Sequence, residues 1–180
     1  MADCIFLIGL GGAGKSTVGK ILSDMLGYIE IDLDSEFCER ISNIREYIKL
    51  HGYEAYLEKN SALLKKLMIE YCQHDVLFIL SSGFLSTNVR ADIVEDNKKV
   101  VSESGFSVLV MPSQNYDEAM KCIIDRQLNR GFSLLREKEE EKFSQRFNDY
   151  VDMGNLKIFS MEKPEYIAAK IASELGKRSA

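Results

Sequence analysis

The sequence predicts an α/β protein in which a parallel sheet is covered by helices on both faces. Three observations predict it. Short runs recur that are apolar nearly throughout, too apolar for a sheet with one wet face. Longer stretches between them carry apolar residues at i, i+3, i+4 and i+7, the stripe of an amphipathic helix. The first junction between the two reads Gly9-Leu10-Gly11-Gly12-Ala13-Gly14-Lys15-Ser16. That is the G-x-x-x-x-G-K-S pattern of a phosphate-binding P-loop, set between a strand and a helix as the pattern requires.

The elements follow in order. Cys4–Ile8 is the first buried strand, and Val18, Ile21, Leu22, Met25 and Leu26 form the stripe of the helix after the loop. Glycines let the loop backbone turn its N–H groups onto phosphate oxygens, and the helix N-terminus adds partial positive charge there. Gly9, Gly11, Gly12, Ala13, Gly14, Lys15, Ser16 and Thr17 are therefore the expected nucleotide-binding residues. Lys15 reaches the β- and γ-phosphates and the Ser16 hydroxyl can ligate Mg²⁺.

Gly27 caps that helix, and Tyr28–Ile31 starts a second strand running into Asp32-Leu33-Asp34. Residues two apart on a strand share a face, so Asp32 and Asp34 are expected to point together at the ligand edge of the sheet. Two carboxylates beside a nucleotide suit Mg²⁺ coordination through water, or acceptance of a substrate hydroxyl. The plainer alternative is that Asp34 or Ser35 caps a helix over Glu36–Ser42.

Residues 44–72 read as helical with a break near Gly52. Asp75–Leu80 is the third strand, closed by the small-residue loop Ser81-Ser82-Gly83. A polar helix over 86–104 follows, with Asn97-Lys98-Lys99 on a solvated face, then a fourth strand over Gly105–Met111. Tyr116–Arg130 is the next helix. Arg126 and Arg130 near its end are the candidate charge stabilisers for phosphoryl transfer, with Gly131 as a hinge. The charge run Glu137–Lys142 reads as a solvated helix. Phe143, Phe147 and Tyr150 form a short stripe, with Arg146 off that line. Leu156–Ser160 is the fifth strand, and Pro164 opens a last helix that Gly176 ends.

Composition narrows the function classes. The 180 residues fit one domain with a proper core. The net charge of −5, without a basic block, argues against a nucleic-acid partner. No apolar run approaches membrane-spanning length. The four cysteines are widely spaced and read as reduced thiols of a cytoplasmic protein, and the two histidines are too isolated for a metal cage.

With these residues in place the chain resembles the shikimate kinase family over nearly its whole length. The resemblance rests on the P-loop, on Asp32-Leu33-Asp34 as the family's D-x-D, and on the run from Asn97 to Leu109. It rests also on Arg126-x-x-x-Arg130 at the lid arginine and on Arg146 to Tyr150 as the R-x-x-x-Y stretch. It implies a three-layer P-loop kinase fold with a five-stranded sheet in the order 2-3-1-4-5. It also implies a substrate-binding helical region at about 34–72 and a lid at about 126–142 within a single domain, 1–180. The implied reaction moves the γ-phosphoryl of ATP, with Mg²⁺, to a hydroxyl of a small hydroxylated metabolite, shikimate by default. Lys15, Asp34 and Arg126 or Arg130 would be catalytic. Asp34, Gly83 and Arg146 would hold the acceptor, Arg146 by its carboxylate, and Ser16 and Asp32 the metal. A monomer is the expected state.

The departures lie at the acceptor side. Gly52 to Leu57 puts Leu57 where the family has an arginine for the substrate carboxylate, although periodicity also gives Leu57 a packing role. The family's glycine triplet reads as reduced to Ser82-Gly83-Phe84, with Phe84 narrowing the pocket, and Gly131 replaces a proline. Another hydroxy acid or polyol as acceptor, a non-catalytic ATP-binding module, or a kinase of a nucleotide are the alternatives.

Overall fold

A computed structural model describes residues 2–131 and 134–178. Five strands lie in one sheet: β1 (Cys4–Ile8), β2 (Ile29–Asp32), β3 (Val76–Ile79), β4 (Phe106–Met111) and β5 (Leu156–Phe159). All neighbours pair in parallel, in the order β2-β3-β1-β4-β5, as the resemblance implied. Between the strands run α1 (Lys15–Leu26), α2 (Leu33–Arg40), α3 (Ile44–His51), α4 (Tyr53–Glu70), α5 (Ala91–Ser104), α6 (Tyr116–Leu128), α7 (Arg136–Tyr150) and α8 (Pro164–Gly176).

The period-2 alternation of the strands divides the core in two. Ile5, Leu7, Leu77, Ile79, Val108 and Val110 face α1 and α8, while Phe6, Ile8, Phe78, Leu80, Leu109 and Met111 face α2, α4, α6 and α7. The inner strands β1, β3 and β4 are buried on both faces, which is why they are apolar nearly throughout and show no alternation in sequence. Gly19 lets α1 lie close on the sheet: a Cβ there would come 2.5 Å from Ile79 Cδ1.

Four expectations change. First, β2 stops at Asp32 and α2 begins at Leu33, ahead of the expected Glu36. Asp32 is the cap, its Oδ1 accepting from the N–H groups of Asp34 (3.0 Å) and Ser35 (3.2 Å). Asp34 thus sits in the first helical turn and does not share a strand face with Asp32. Second, the helix expected from residue 86 begins only at Ala91, after Arg90, whose backbone is left-handed at φ 52°. Third, Asn97 is buried, not solvated: its Nδ2 donates to the Phe84 carbonyl (3.0 Å) and its Oδ1 accepts from Ser61 Oγ (2.6 Å), tying α5 to α4 and to the loop after β3. Fourth, Met25 drops out of the α1 stripe and is half exposed. The break at Gly52, where φ is 88°, is as expected and turns α3 back onto α4.

Candidate active site

The site gathers at the C-terminal ends of the parallel strands, where the β1–α1, β2–α2 and β3–α5 junctions open together. Gly12 and Gly14 adopt φ 80° and 94°, a backbone only glycine takes without strain, and this bends the loop around a cavity of about 140 Å³. Of the expected loop residues, Gly11, Gly12, Gly14, Lys15 and Ser16 line it. Gly9, Ala13 and Thr17 do not. The Gly9 carbonyl accepts from Lys15, Ala13 is buried with its N–H on the Leu10 carbonyl (3.2 Å), and Thr17 is exposed.

Lys15 lies nearly buried, its Nζ donating to the carbonyls of Gly9 (2.8 Å) and Leu10 (2.9 Å). Burial pulls its pKa down to about 8, against the pull of the Asp34 and Asp32 carboxylates. Ser16 Oγ donates to Asp32 Oδ2 at 2.7 Å, so the hydroxyl and carboxylate assigned to a metal stand side by side on the wall of this cavity. Among the described residues no cluster of three or more His, Cys, Asp or Glu forms. A hydroxyl and one carboxylate beside a phosphate cradle fit Mg²⁺, which takes few protein oxygens and fills the rest of its shell with phosphate and water.

The structure separates the two candidate arginines. Arg130 lines the phosphate cavity and lies within electrostatic reach of Lys15 and Asp34. Arg126 lines neither cavity; its Nη1 donates to the Gly12 carbonyl at 3.2 Å and braces the loop. Of the 126–142 stretch expected to form a lid, residues 132 and 133 lie outside the described residues.

A second cavity of about 250 Å³ adjoins the first, and Gly11, Asp34, Ser82 and Gln127 line both. Asp34 therefore stands where the two meet. Its Oδ1 accepts from Ser81 Oγ. Burial raises its pKa, opposed by that hydrogen bond and by the charges of Lys15 and Arg130. Across the cavity Arg146 on α7 donates from Nη1 to Ser82 Oγ (3.0 Å) and from Nη2 to the Tyr53 hydroxyl (3.2 Å), while its buried Nε has no partner. The Tyr150 hydroxyl donates to the Ser82 carbonyl at 2.7 Å and fixes the loop under Arg146. Gly83 lines this cavity as expected, and the close approach explains its identity: a Cβ there would collide with the Tyr53 hydroxyl and lie 3.3 Å from Arg146 Nη2.

Two acceptor-side expectations are corrected. Phe84 does not narrow the cavity. It turns into the core, 2% exposed, and the small-residue wall is Ser81-Ser82-Gly83. The charge run Glu137–Lys142 is not wholly solvated either. Glu139 is 5% exposed and shares the cavity wall with Lys142, which donates to it at 3.0 Å, and Gln127 Nε2 donates to it more weakly at 3.4 Å. Glu139 lies one turn before Phe143 on the Phe143–Phe147–Tyr150 stripe. A charge on the extension of an apolar stripe is the signal that would have found it. Leu57 is in the core, 3% exposed and absent from the cavity wall. Tyr53, which no motif marked, lines the cavity, as does Ser81 of the small-residue loop. Beyond β5, Ser160 to Pro164 lies at the same sheet edge, where Ser160 Oγ accepts from the Glu162 N–H (3.1 Å).

The doubly covered parallel sheet, the P-loop and the paired cavities define a P-loop protein of the small-molecule kinase type. Within that class the chain belongs to the shikimate kinase family, whose model matches residues 11–175. It is 27% identical to shikimate kinase of Enterococcus faecalis over 96% of this chain and 98% of that one. It is 41% identical to chloroplastic shikimate kinase 3 of Oryza sativa subsp. japonica over 83% of this chain and 52% of that one. It also matches pentafunctional AROM polypeptides, spanning 10% of the length of the one from Candida glabrata at 25% identity. In fold it resembles the Acinetobacter baumannii shikimate kinase solved in complex with shikimate, with a TM-score of 0.77, 20% identity and coverage of 99% of this chain and 95% of that one.

Proposed function

We propose that this protein transfers the γ-phosphoryl group of ATP to a hydroxyl of shikimate. The observation that carries the reading is the junction of the two cavities. Asp34, lining both cavities and held above its ordinary pKa, stands between a P-loop cradle and a cavity whose far wall carries Arg146. A raised carboxylate pKa suits a group that must take a proton from an alcohol. Arg146 has its fork on neutral hydroxyls and an unpartnered Nε, so it offers a cation to an incoming carboxylate. A small hydroxy acid would span these two groups, and family membership supports shikimate as that acid.

In the reaction Gly11, Gly12 and Gly14 present the loop backbone to the phosphates. Lys15 leaves the carbonyls of Gly9 and Leu10 for the β- and γ-phosphate oxygens. Ser16 and Asp32 would hold Mg²⁺, which would supply positive charge against the phosphates. Asp34 orients the acceptor hydroxyl and receives its proton. Arg130, beside Lys15 and Asp34, stabilises the charge on the transferring group, and Arg126 keeps the loop in shape. Arg146, Gly83 and the Tyr53 hydroxyl seat the acceptor.

The test is ADP release by purified protein with Mg-ATP, with and without shikimate, repeated for Asp34→Asn. Shikimate-dependent release that Asp34→Asn abolishes supports the reading. ATP binding without shikimate-dependent release refutes it.

A further inference from the structure

Beneath Asp34 lies a chain of hydrogen bonds that the proposed reaction has not used. Ser81, 6% exposed, gives its single hydroxyl hydrogen to Asp34 Oδ1. Its oxygen accepts from Nδ2 of Asn60, which is 1% exposed, at 3.0 Å. The same amide nitrogen donates to the Tyr56 hydroxyl at 3.3 Å. The direction is fixed by what each group can do. An ionised carboxylate only accepts, so Ser81 donates to it, which leaves the Ser81 oxygen to accept from Asn60. Turning the Asn60 amide over would aim its oxygen at Ser81, attract the hydroxyl hydrogen and strip the donor from Asp34. In the orientation present, Asn60 Oδ1 is left buried with no partner. Asn60 and Tyr56 stand on α4 and Ser81 on the β3–α5 segment, so the chain joins two elements beside the cavity.

We propose that Ser81 is a positioning residue for phosphoryl transfer, with Asn60 as the residue that aims it: the directed chain Asn60–Ser81–Asp34 locks the Asp34 carboxylate in the orientation that receives the acceptor hydroxyl. The inference rests on the kinase reading above. Asp32 on one side is occupied with Ser16 and the α2 cap, and Lys15 with loop carbonyls, so Ser81 is the hydrogen-bond donor that a neighbouring side chain gives Asp34 among the described residues.

The test is the split between kcat and KM in Ser81→Ala, Ser81→Thr and Asn60→Leu. Losing a donor to a charged acceptor that matters in the transition state lowers kcat about tenfold or more, with the KM values for ATP and shikimate unchanged within about twofold. Ser81→Thr keeps the hydroxyl and restores most of the rate. Asn60→Leu, which leaves Ser81 in place but unaimed, lowers kcat in the same sense by a smaller factor. An unchanged kcat in Ser81→Ala, a loss confined to the shikimate KM, or a Thr variant as slow as the Ala variant overturns the proposal. If the wild-type protein does not turn over shikimate, the kinase reading fails, and the chain is judged by crystal structures instead. An Asp34 side chain that keeps its wild-type rotamer in both Ser81→Ala and Asn60→Leu then overturns it, and a displaced carboxylate in both sustains the lock.

Discussion

Replacing Arg146 by Met keeps the length of the side chain and removes its charge and fork. The guanidinium now makes two bonds, to Ser82 Oγ at 3.0 Å and to the Tyr53 hydroxyl at 3.2 Å, both neutral acceptors, and forms no ion pair among the described residues. The free protein therefore loses little charge pairing in this variant. The complex loses a desolvated Arg–carboxylate pair, a contact whose removal typically costs about 2–5 kcal/mol. That range converts to a fall of about 30- to 5,000-fold in kcat/KM for shikimate. Lys142 lies one turn away but is committed to Glu139 at 3.0 Å, so it does not replace the lost cation. The phosphate cavity does not include Arg146, so the Kd of ATP stays within about twofold of wild type. Steady-state kinetics with varied shikimate and nucleotide titration by calorimetry measure the two halves. Arg146→Lys should fall between, because an ammonium lacks the planar fork. A shikimate kcat/KM within about threefold of wild type, or a loss shared equally with ATP binding, refutes the carboxylate role.

Lys15 gives a pH dependence. Its pKa in the free protein is lowered to about 8 by burial, and phosphate oxygens favour its charged form. Binding above that pH requires proton uptake, so ATP affinity measured by calorimetry at constant salt should hold below about pH 8 and weaken by up to tenfold per unit above it. Asp34→Asn should lower kcat by roughly 10²- to 10⁴-fold and raise the Tm at neutral pH. Its folded pKa is raised, so its contribution to stability is present at low pH, is lost as pH climbs through the folded value, and a neutral amide avoids that loss. Leu57→Arg restores the residue that the resemblance implies, yet Leu57 is 3% exposed in the core. Thermal melts should show a loss of about 3 kcal/mol or more, with no gain in shikimate affinity.

The fold and the phosphate half of the site were legible because their signals are local. The P-loop is one contiguous run whose glycines, lysine and serine can be read without reference to any distant element. The inner strands β1, β3 and β4 declare themselves by being apolar nearly throughout, while the edge strands β2 and β5 carry Glu30, Asp32 and Lys157. Asp32 and Asp34 both line the cavity beside the P-loop, although the strand argument that paired them fails: capping by Asp32 starts the helix two residues before Ser35 and gives each carboxylate its own position. The acceptor half depends on contacts between elements distant in sequence. Whether Phe84 or Ser81 meets the cavity turns on the exact residue at which β3 ends, and no periodicity reaches across a loop. Helix α4 is buried on a broad face holding Tyr56, Leu57, Asn60 and Ser61, so the stripe that placed Leu57 inward was right about packing and silent on which neighbour meets the site. Gln127 and Glu139 reach the cavity because α6 and α7 pack against each other.

The most direct measurement is ³¹P NMR of a mixture of Mg-ATP, shikimate and the purified protein. The account predicts loss of the γ-phosphate resonance of ATP and the growth, in equal amount, of a phosphomonoester resonance that requires shikimate and is absent with Asp34→Asn. Growth of inorganic phosphate alone, or an unchanged ATP spectrum from protein shown to bind ATP, would contradict it.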